Sequence, residues 1–174
     1  MRRILLSLTA AAVLILPTAA AARLRALQPA GFLVVRNATT DHGVTDSPVV
    51  TVVVRGFVIG RVEQEGVVQL YHLPSGAGSS AAQASGAVVS RRSVVWRGVP
   101  GTEFDGSGFR FRAVGGVWRV VIYGAGVSVY AGGHGKVTLH GSVAYPAADG
   151  EYALNGRHFT SLPTGELTQR IKAP

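Results

Sequence analysis

Short runs of valine, isoleucine, phenylalanine and tyrosine recur between glycines after residue 30, and no stretch there shows a sustained helical period. Runs of this length and composition are typical of β-strands, and the 23 glycines suit the turns that many short strands require. We therefore predict an all-β fold, either an antiparallel β-sandwich or a jelly-roll-like domain. A β-helix is the alternative, because short strands bounded by glycine also suit that fold.

The strand pattern is clearest in residues 109–141, where three turn signals predict a four-stranded meander. The turns lie at Gly115 with Gly116, at Ala125 with Gly126, and at residues 132–136. Pairing through these turns keeps one face of all four strands apolar, and a one-residue slip in register would destroy that agreement. The residues of this predicted buried face are Phe109, Phe111, Ala113, Trp118, Val120, Ile122, Val129, Ala131, Val137 and Leu139.

The opposite face of the predicted meander carries arginines. The register places Arg112 directly opposite Arg119, with Arg110 on the same face. Like charges directly opposed on neighbouring strands are unfavourable, so we expect a compensating anion. One interpretation is an acidic side chain of the protein itself, from Glu63, Glu65, Glu103 or Asp105. The other is an anionic ligand, which would make Arg110, Arg112 and Arg119 an anion-binding face.

Two further hairpins are predicted outside the meander. A three-residue loop that ends on Gly66 is typical of a hairpin between residues 57–63 and 67–73. Asn155 with Gly156 is the strongest two-residue turn signal in the chain and predicts the last hairpin.

The remaining segments divide the chain into a domain and its appendages. Residues 74–86 are rich in serine, glycine and alanine, which predicts a flexible surface loop. Residues 164–174 have no strand pattern and are predicted to be a tail. Residues 23–163 then form a single β domain of ordinary size. The chain has no cysteine, so no disulfide stabilises the fold and the apolar core must do so alone.

The first 22 residues have the three parts of a signal peptide. Arg2 and Arg3 are followed by an apolar run at 4–16, and small residues follow Pro17. This order predicts export, with cleavage between Ala20 and Arg23. Two alternatives stay open at this point. The uncharged stretch 4–22 has 19 residues, close to the roughly 20 that span a bilayer, so it could be an uncleaved membrane anchor. The arginine pair could also direct the twin-arginine route.

The chain is basic, with a formal net charge of +8. A basic exported domain suits binding of an anionic envelope polymer, a membrane surface or a partner protein. Nucleic acid is not an expected partner, because the chain is exported and has no basic run beyond Arg91 and Arg92. The oligomeric state is not predicted.

No catalytic signature is present, and no two histidines have metal-ligand spacing on one strand, so we expect neither cofactor nor metal. The leading interpretation is a non-enzymatic binding domain. The alternative is a hydrolase of envelope glycan that uses a carboxylate pair, either Glu63 with Glu65 or Glu103 with Asp105.

Three segments carry a family likeness: FRFR at 109–112, GKVTLHG at 135–141 and EYALNG at 151–156. They resemble segments of small exported actinobacterial proteins of unknown function. The resemblance covers about the C-terminal third of the chain. Its motifs are turns and strands, and it implies no catalytic residues.

Overall fold

Nine strands form the fold in the computed structural model, which describes residues 31–39, 47–74, 80–86, 88–141 and 150–172. In chain order they are β1 (Gly31–Ala38), β2 (Val50–Leu73), β3 (Ala81–Ser85), β4 (Val88–Trp96), β5 (Val99–Gly124), β6 (Val127–His140), β7 (Glu151–Leu154), β8 (Thr160–Ser161) and β9 (Glu166–Ile171). All nine belong to one sheet, and the described residues contain no helix.

Every strand pairing in this sheet is antiparallel. The prediction of an all-β, antiparallel fold is therefore confirmed. The β-helix alternative is wrong, because successive turns of that fold pair in parallel. A two-layer sandwich or jelly roll stays a prediction with which the single sheet is consistent. The predicted signal peptide, residues 1–22, lies outside the described residues.

The sheet doubles back on itself through its two longest strands. The strand order is β3-β5-β2-β6-β1-β7-β8, with β4 on β5 and β9 on β6. Residues 67–71 of β2 pair with residues 101–105 of β5 along one edge and with residues 119–123 of the same strand along the other. The second half of β2 therefore lies between the two halves of β5, which is possible only if both strands bend sharply.

Glycines make that bend possible. Gly66 of β2 stands directly opposite both Gly106 and Gly124 of β5. A Cβ atom on Gly66 would lie 2.6 Å from the Tyr123 carbonyl oxygen, and one on Gly124 would lie 2.6 Å from that of Glu65. Contacts this short exclude any side chain, so the close approach of the backbones requires glycine at these positions.

The core is the inner face of this doubled sheet. The predicted buried face is confirmed residue by residue, since all ten of its members are buried in one apolar cluster. Strand residues alternate between the two sides of a sheet, so the members of the core cluster on β2, β5 and β6 point the same way. With no helix among the described residues to cover that face, the sheet covers it by folding over.

The pairing predicted for the meander is wrong, although its faces are right. Gly115 and Gly116 have φ values of 72° and 71° and form a bulge opposite Gly56 within the continuous strand β5, not a hairpin turn. Phe111 pairs with Gly60 of β2, and Trp118 pairs with Val54. Two consecutive glycines with positive φ fit a tight turn and a bulge equally well, so alternation could not distinguish them.

Three other predicted hairpins are also wrong, two of them because residues that suit a turn can fit equally well within a strand. The proposed hairpin loop ending on Gly66 lies inside β2, and residues 132–136 lie inside β6. Ala125 and Gly126 do separate β5 from β6, but those strands pair with β2 and not with each other. Asn155 and Gly156, in contrast, form the predicted tight turn, with φ values of 53° and 79°.

The segments predicted as a loop and a tail contribute strands at the sheet edges. Within the predicted loop 74–86, residues 75–79 lie outside the described residues and residues 81–85 form β3, paired with β5. Within the predicted tail 164–174, residues 166–171 form β9, and Ile171 is 1% exposed in the core. Backbone pairing to a long neighbour makes residues 81–85 and 166–171 strands despite their weak strand propensity.

Aromatic rings cover glycines across the sheet at three places. Phe111 lies over Gly60, Tyr71 over Gly101 and Phe57 over Gly132, and in each case the two residues are directly paired. The ring supplies the apolar contact that the glycine lacks, an arrangement known to stabilise strands that contain glycine.

The Gly60→Ala variant should lose about 1–3 kcal/mol of unfolding free energy, as overpacked cores do. The new Cβ atom would lie 2.3 Å from Cζ of Phe111 and 2.9 Å from the Ser128 carbonyl oxygen. Urea denaturation measures the loss. Gly165→Ala is the matched control, because nothing lies within 4 Å of a Cβ there. Unchanged stability in Gly60→Ala would show that the Phe111 ring does not rest on this glycine.

Candidate functional site

A cleft of about 760 Å³ lies along β3, and we call it the arginine cleft. Its lining combines three arginines, two uncharged polar residues and five apolar residues. These are Arg91, Arg110, Arg112, Gln83, Ser85, Ile59, Ala82, Ala84, Phe104 and Phe111. A cleft of this size is within the range of small-molecule sites.

The alternation of β5 and its pairing with β3 position two of the arginines. Phe111 points into the core, so its neighbours Arg110 and Arg112 point out and are exposed. β3 runs beside them and places Gln83 directly opposite Arg112. The Nε atom of Arg112 donates a hydrogen bond of 3.1 Å to Oε1 of Gln83, which orients the guanidinium group at the edge of the sheet.

The third arginine comes from β4. Arg91 stands directly opposite Phe104, and its guanidinium carbon lies 5.9 Å from the centre of the Phe104 ring. Because β4 follows β3 along the same edge of β5, Arg91 reaches the cleft from a different strand than Arg110 and Arg112 do. Arg91 was not predicted as a member of this site, although the adjacent basic pair at Arg91 and Arg92 was the available signal.

No carboxylate lines the cleft within the part of the chain that the structure describes. Two of the acidic residues considered as neutralising partners are paired elsewhere: Glu63 with Arg61, and Glu103 with Arg92. Within the described ranges, no ion pair includes any of the three cleft arginines. Neither Glu63 nor Glu103 forms an ion pair with a cleft arginine, although Arg61, the partner of Glu63, stands directly opposite Arg110.

Arg119 lies away from the cleft. It stands directly opposite Val53 and Tyr71, so the predicted pairing of Arg112 with Arg119 is wrong. Its guanidinium carbon lies 4.3 Å from the ring centre of Trp96 and 5.5 Å from that of Tyr71. Burial lowers the pKa of Arg119, and the neighbouring Tyr71 and Tyr123 oppose that shift. These stacking contacts assign Arg119 a packing role.

A hydrogen-bonded chain extends from this stack. The Tyr71 hydroxyl donates to Oε1 of Gln69 at 3.0 Å, and Nε2 of Gln69 donates to Oε2 of Glu103 at 2.9 Å. Nε of Arg92 donates to the other carboxylate oxygen of Glu103, whose side chain is 2% exposed. Burial raises the pKa of Tyr71, and the nearby Arg119 partly opposes this. Both carboxylate oxygens of Glu103 are thus engaged.

A second group of basic residues lies on the outer face of the sheet around a depression of about 520 Å³. Lys136 stands directly opposite Arg170, and Arg55 stands directly opposite His134. All four line the depression together with valines and a glycine. We call this group the basic face. It offers cations without the apolar aromatic walls of the arginine cleft.

Neither a metal site nor a membrane-spanning helix is found in the described ranges. No group of three or more histidine, aspartate or glutamate side chains there could hold a metal ion. Among the same residues, none forms a helix of the length and hydropathy that a membrane span requires.

Comparison with family models, with curated proteins and with solved structures finds no match. The predicted likeness to small exported actinobacterial proteins stays a prediction.

Arg119→Ala should destabilise the protein by about 1–2 kcal/mol, because it removes a partly buried cation stacked on two rings. Arg112→Ala is the matched control and should change the free energy of unfolding by no more than about 0.5 kcal/mol, since this arginine is exposed. Urea denaturation of both variants measures the difference. A larger loss for Arg112→Ala would contradict the assignment of the two arginines to different roles.

Proposed function

We propose that this protein is an exported, non-enzymatic domain that binds anionic components of the cell envelope, and that the arginine cleft is its binding site. The observation that supports this most is the convergence of Arg91, Arg110 and Arg112 in one cleft with no carboxylate in its described lining. Like charges that line one cleft repel one another, and a bound anion supplies the counter-charge.

The chemistry of arginine favours this role. A guanidinium group presents its donors in a planar fork that matches phosphate and carboxylate oxygens, and it keeps its charge at any relevant pH. Arg110 and Arg112 are held two residues apart on one strand, while Arg91 comes from its neighbour. Guanidinium groups from two strands therefore line the same cleft.

The alternative, a glycan hydrolase, has less support. Such an enzyme needs two carboxyl groups facing each other across a cleft, roughly 5–10 Å apart. The arginine cleft offers none among its described lining residues. Glu103 is bonded through both carboxylate oxygens, and Glu63 is paired with Arg61. We therefore favour binding over hydrolysis.

The arginine cleft should determine binding of a small polyanion. We expect the full chain to bind inorganic tripolyphosphate at low ionic strength, measured by isothermal titration calorimetry. The double variant Arg91→Ala, Arg112→Ala should bind at least about tenfold more weakly, because each removes charge-assisted hydrogen bonds to phosphate. Affinity should also fall as salt is raised from about 50 to about 200 mM, since salt screens the exposed charges.

The double variant Arg55→Ala, Arg170→Ala is the matched control. It removes the same charge from the basic face and should lose less than about threefold in affinity, an effect of net charge alone. Equal losses of affinity in the two double variants would mean that tripolyphosphate binding depends only on net charge. The assignment of the arginine cleft as the binding site would then be rejected.

We propose export through the general secretory route, with cleavage between Ala20 and Arg23. N-terminal sequencing of the exported chain should give a start in that interval. Replacing Arg2 and Arg3 by lysine should leave export unchanged, because an ordinary signal needs only positive charge there. Loss of export in this variant would indicate the twin-arginine route. A chain that keeps Met1 and stays in the membrane fraction would indicate an uncleaved anchor.

A further inference from the structure

We infer that the arginine cleft is a site for an anionic amphiphile: a molecule with a phosphate-type head group and an alkyl chain. This rests on the proposed function, because it identifies the class of anion that the cleft would take. It adds a second requirement, that the ligand has an apolar part. The inference depends on three features of the cleft: its volume, its apolar walls and its charge.

The first feature is volume. A cleft of about 760 Å³ is comparable with sites that hold drug-sized ligands, so a bare phosphate or sulfate would leave most of it filled with water. The space exists because β3 has small side chains where it passes the cleft. Ala82 stands directly opposite Ala113, and Ala84 stands directly opposite Phe111. Larger residues at these two positions of β3 would occupy part of the cleft.

The second feature is the apolar wall. Ala82 and Ala84 pack against the core cluster, and the rings of Phe104 and Phe111 belong to that cluster. Ile59 adds an aliphatic side chain that is 46% exposed. Phe104 and Phe111 are themselves buried, so the apolar surface open to an alkyl chain comes from Ile59 and the half-buried Ala82 and Ala84. Covering that surface releases water, which favours binding. An anion with no apolar part would leave this contribution unused.

The third feature is the position of the charge relative to that wall. Arg112 stands directly opposite Ile59 on the neighbouring strand, and Arg91 stands directly opposite Phe104. Each of these arginines therefore borders an apolar side chain, as the head and the chain of an amphiphile require. Three arginines also match a phosphate, with its two negative charges and three free oxygens, better than a single carboxylate.

The amphiphile inference predicts a chain-length dependence. Butyl, octyl and dodecyl phosphate, each kept below its critical micelle concentration, are titrated into the full chain beside inorganic phosphate. Octyl phosphate should bind at least about tenfold more tightly than butyl phosphate, because each methylene that is buried can add up to about fourfold. Octanol and octanoate should both bind more weakly than octyl phosphate, since they lack the phosphate.

Variants separate the head group from the chain. Ile59→Thr keeps a β-branched residue but removes apolar contact, so it should reduce the advantage of octyl over butyl phosphate by about threefold and leave inorganic phosphate unaffected. Val95→Thr is the matched control, because Val95 is 72% exposed and lies outside the cleft lining. Arg91→Ala with Arg112→Ala should weaken every phosphate ligand.

The outcomes distinguish this inference from the proposed function. If chain length has no effect while phosphates still bind through the arginines, the amphiphile inference is overturned and anion binding stands. If octanol or octanoate binds as tightly as octyl phosphate, the phosphate-headed class is rejected. If no anion binds, both proposals fail. The inference would also be overturned if Ile59→Thr and Val95→Thr reduced the advantage of octyl over butyl phosphate equally, because the alkyl chain would then lie outside the cleft.

A last arm identifies the source of the ligand. Vesicles of phosphatidic acid, a phosphate monoester, in phosphatidylcholine are added in competition with octyl phosphate, with vesicles of phosphatidylcholine alone as the control. Competition by the anionic vesicles alone would assign the site to a phospholipid presented by a membrane. No competition would assign it to a free amphiphile. Equal competition by both kinds of vesicle would show uptake of octyl phosphate by lipid, and the direct titrations would then decide.

Discussion

The whole structure depends on the burial of one apolar sheet face without help from any described helix. The valines, leucines and aromatic residues of β2, β5 and β6 that belong to the core cluster point to that face, and exposing it to water would be strongly unfavourable. The sheet covers the face by bending back within β2 and β5. The second half of β2 can lie against both halves of β5 because Gly66 meets Gly106 and Gly124, and no side chain fits at Gly66 or Gly124. The fold thus relies on a few glycines as much as on its large apolar residues.

The same fold-back decides which charged residues become neighbours. In β5, Arg110 and Arg112 lie beside β3, and a bulge follows at Gly115 and Gly116. Arg119 comes after the bulge and lies between two segments of β2. Arg119 is stacked on aromatic rings there, while the other two arginines remain exposed beside Arg91 of β4. One strand therefore supplies a packing arginine at one end and ligand-binding candidates at the other. The environment of each of these arginines follows from the neighbours of β5 and not from the sequence of β5 itself.

The edge strands give the proposed site its form. β3 is short and built of small residues, and it leaves an open cleft where a bulkier strand would close the surface. Two of the four acidic residues considered as neutralising partners have other partners, Glu63 in Arg61 and Glu103 in Arg92 and Gln69. Cationic and apolar surface therefore lie side by side in a recess. We regard this combination as the basis for binding an anion that carries an apolar chain.

The sequence by itself determined the strand class, the buried face and the turn at Asn155 and Gly156. Side-chain alternation fixes which residues share a face, and that rule is local, so ten buried positions were predictable from residues 109–139 alone. It also placed Arg110, Arg112 and Arg119 on the outer side. Only the tertiary structure decided the pairing, because glycine pairs suit turns and bulges alike and any apolar strand face can pack against another. The tertiary pairing therefore places Arg91 in the cleft and Arg119 outside it. It also makes residues 81–85 and 166–171 strands, through partners that are distant in the chain.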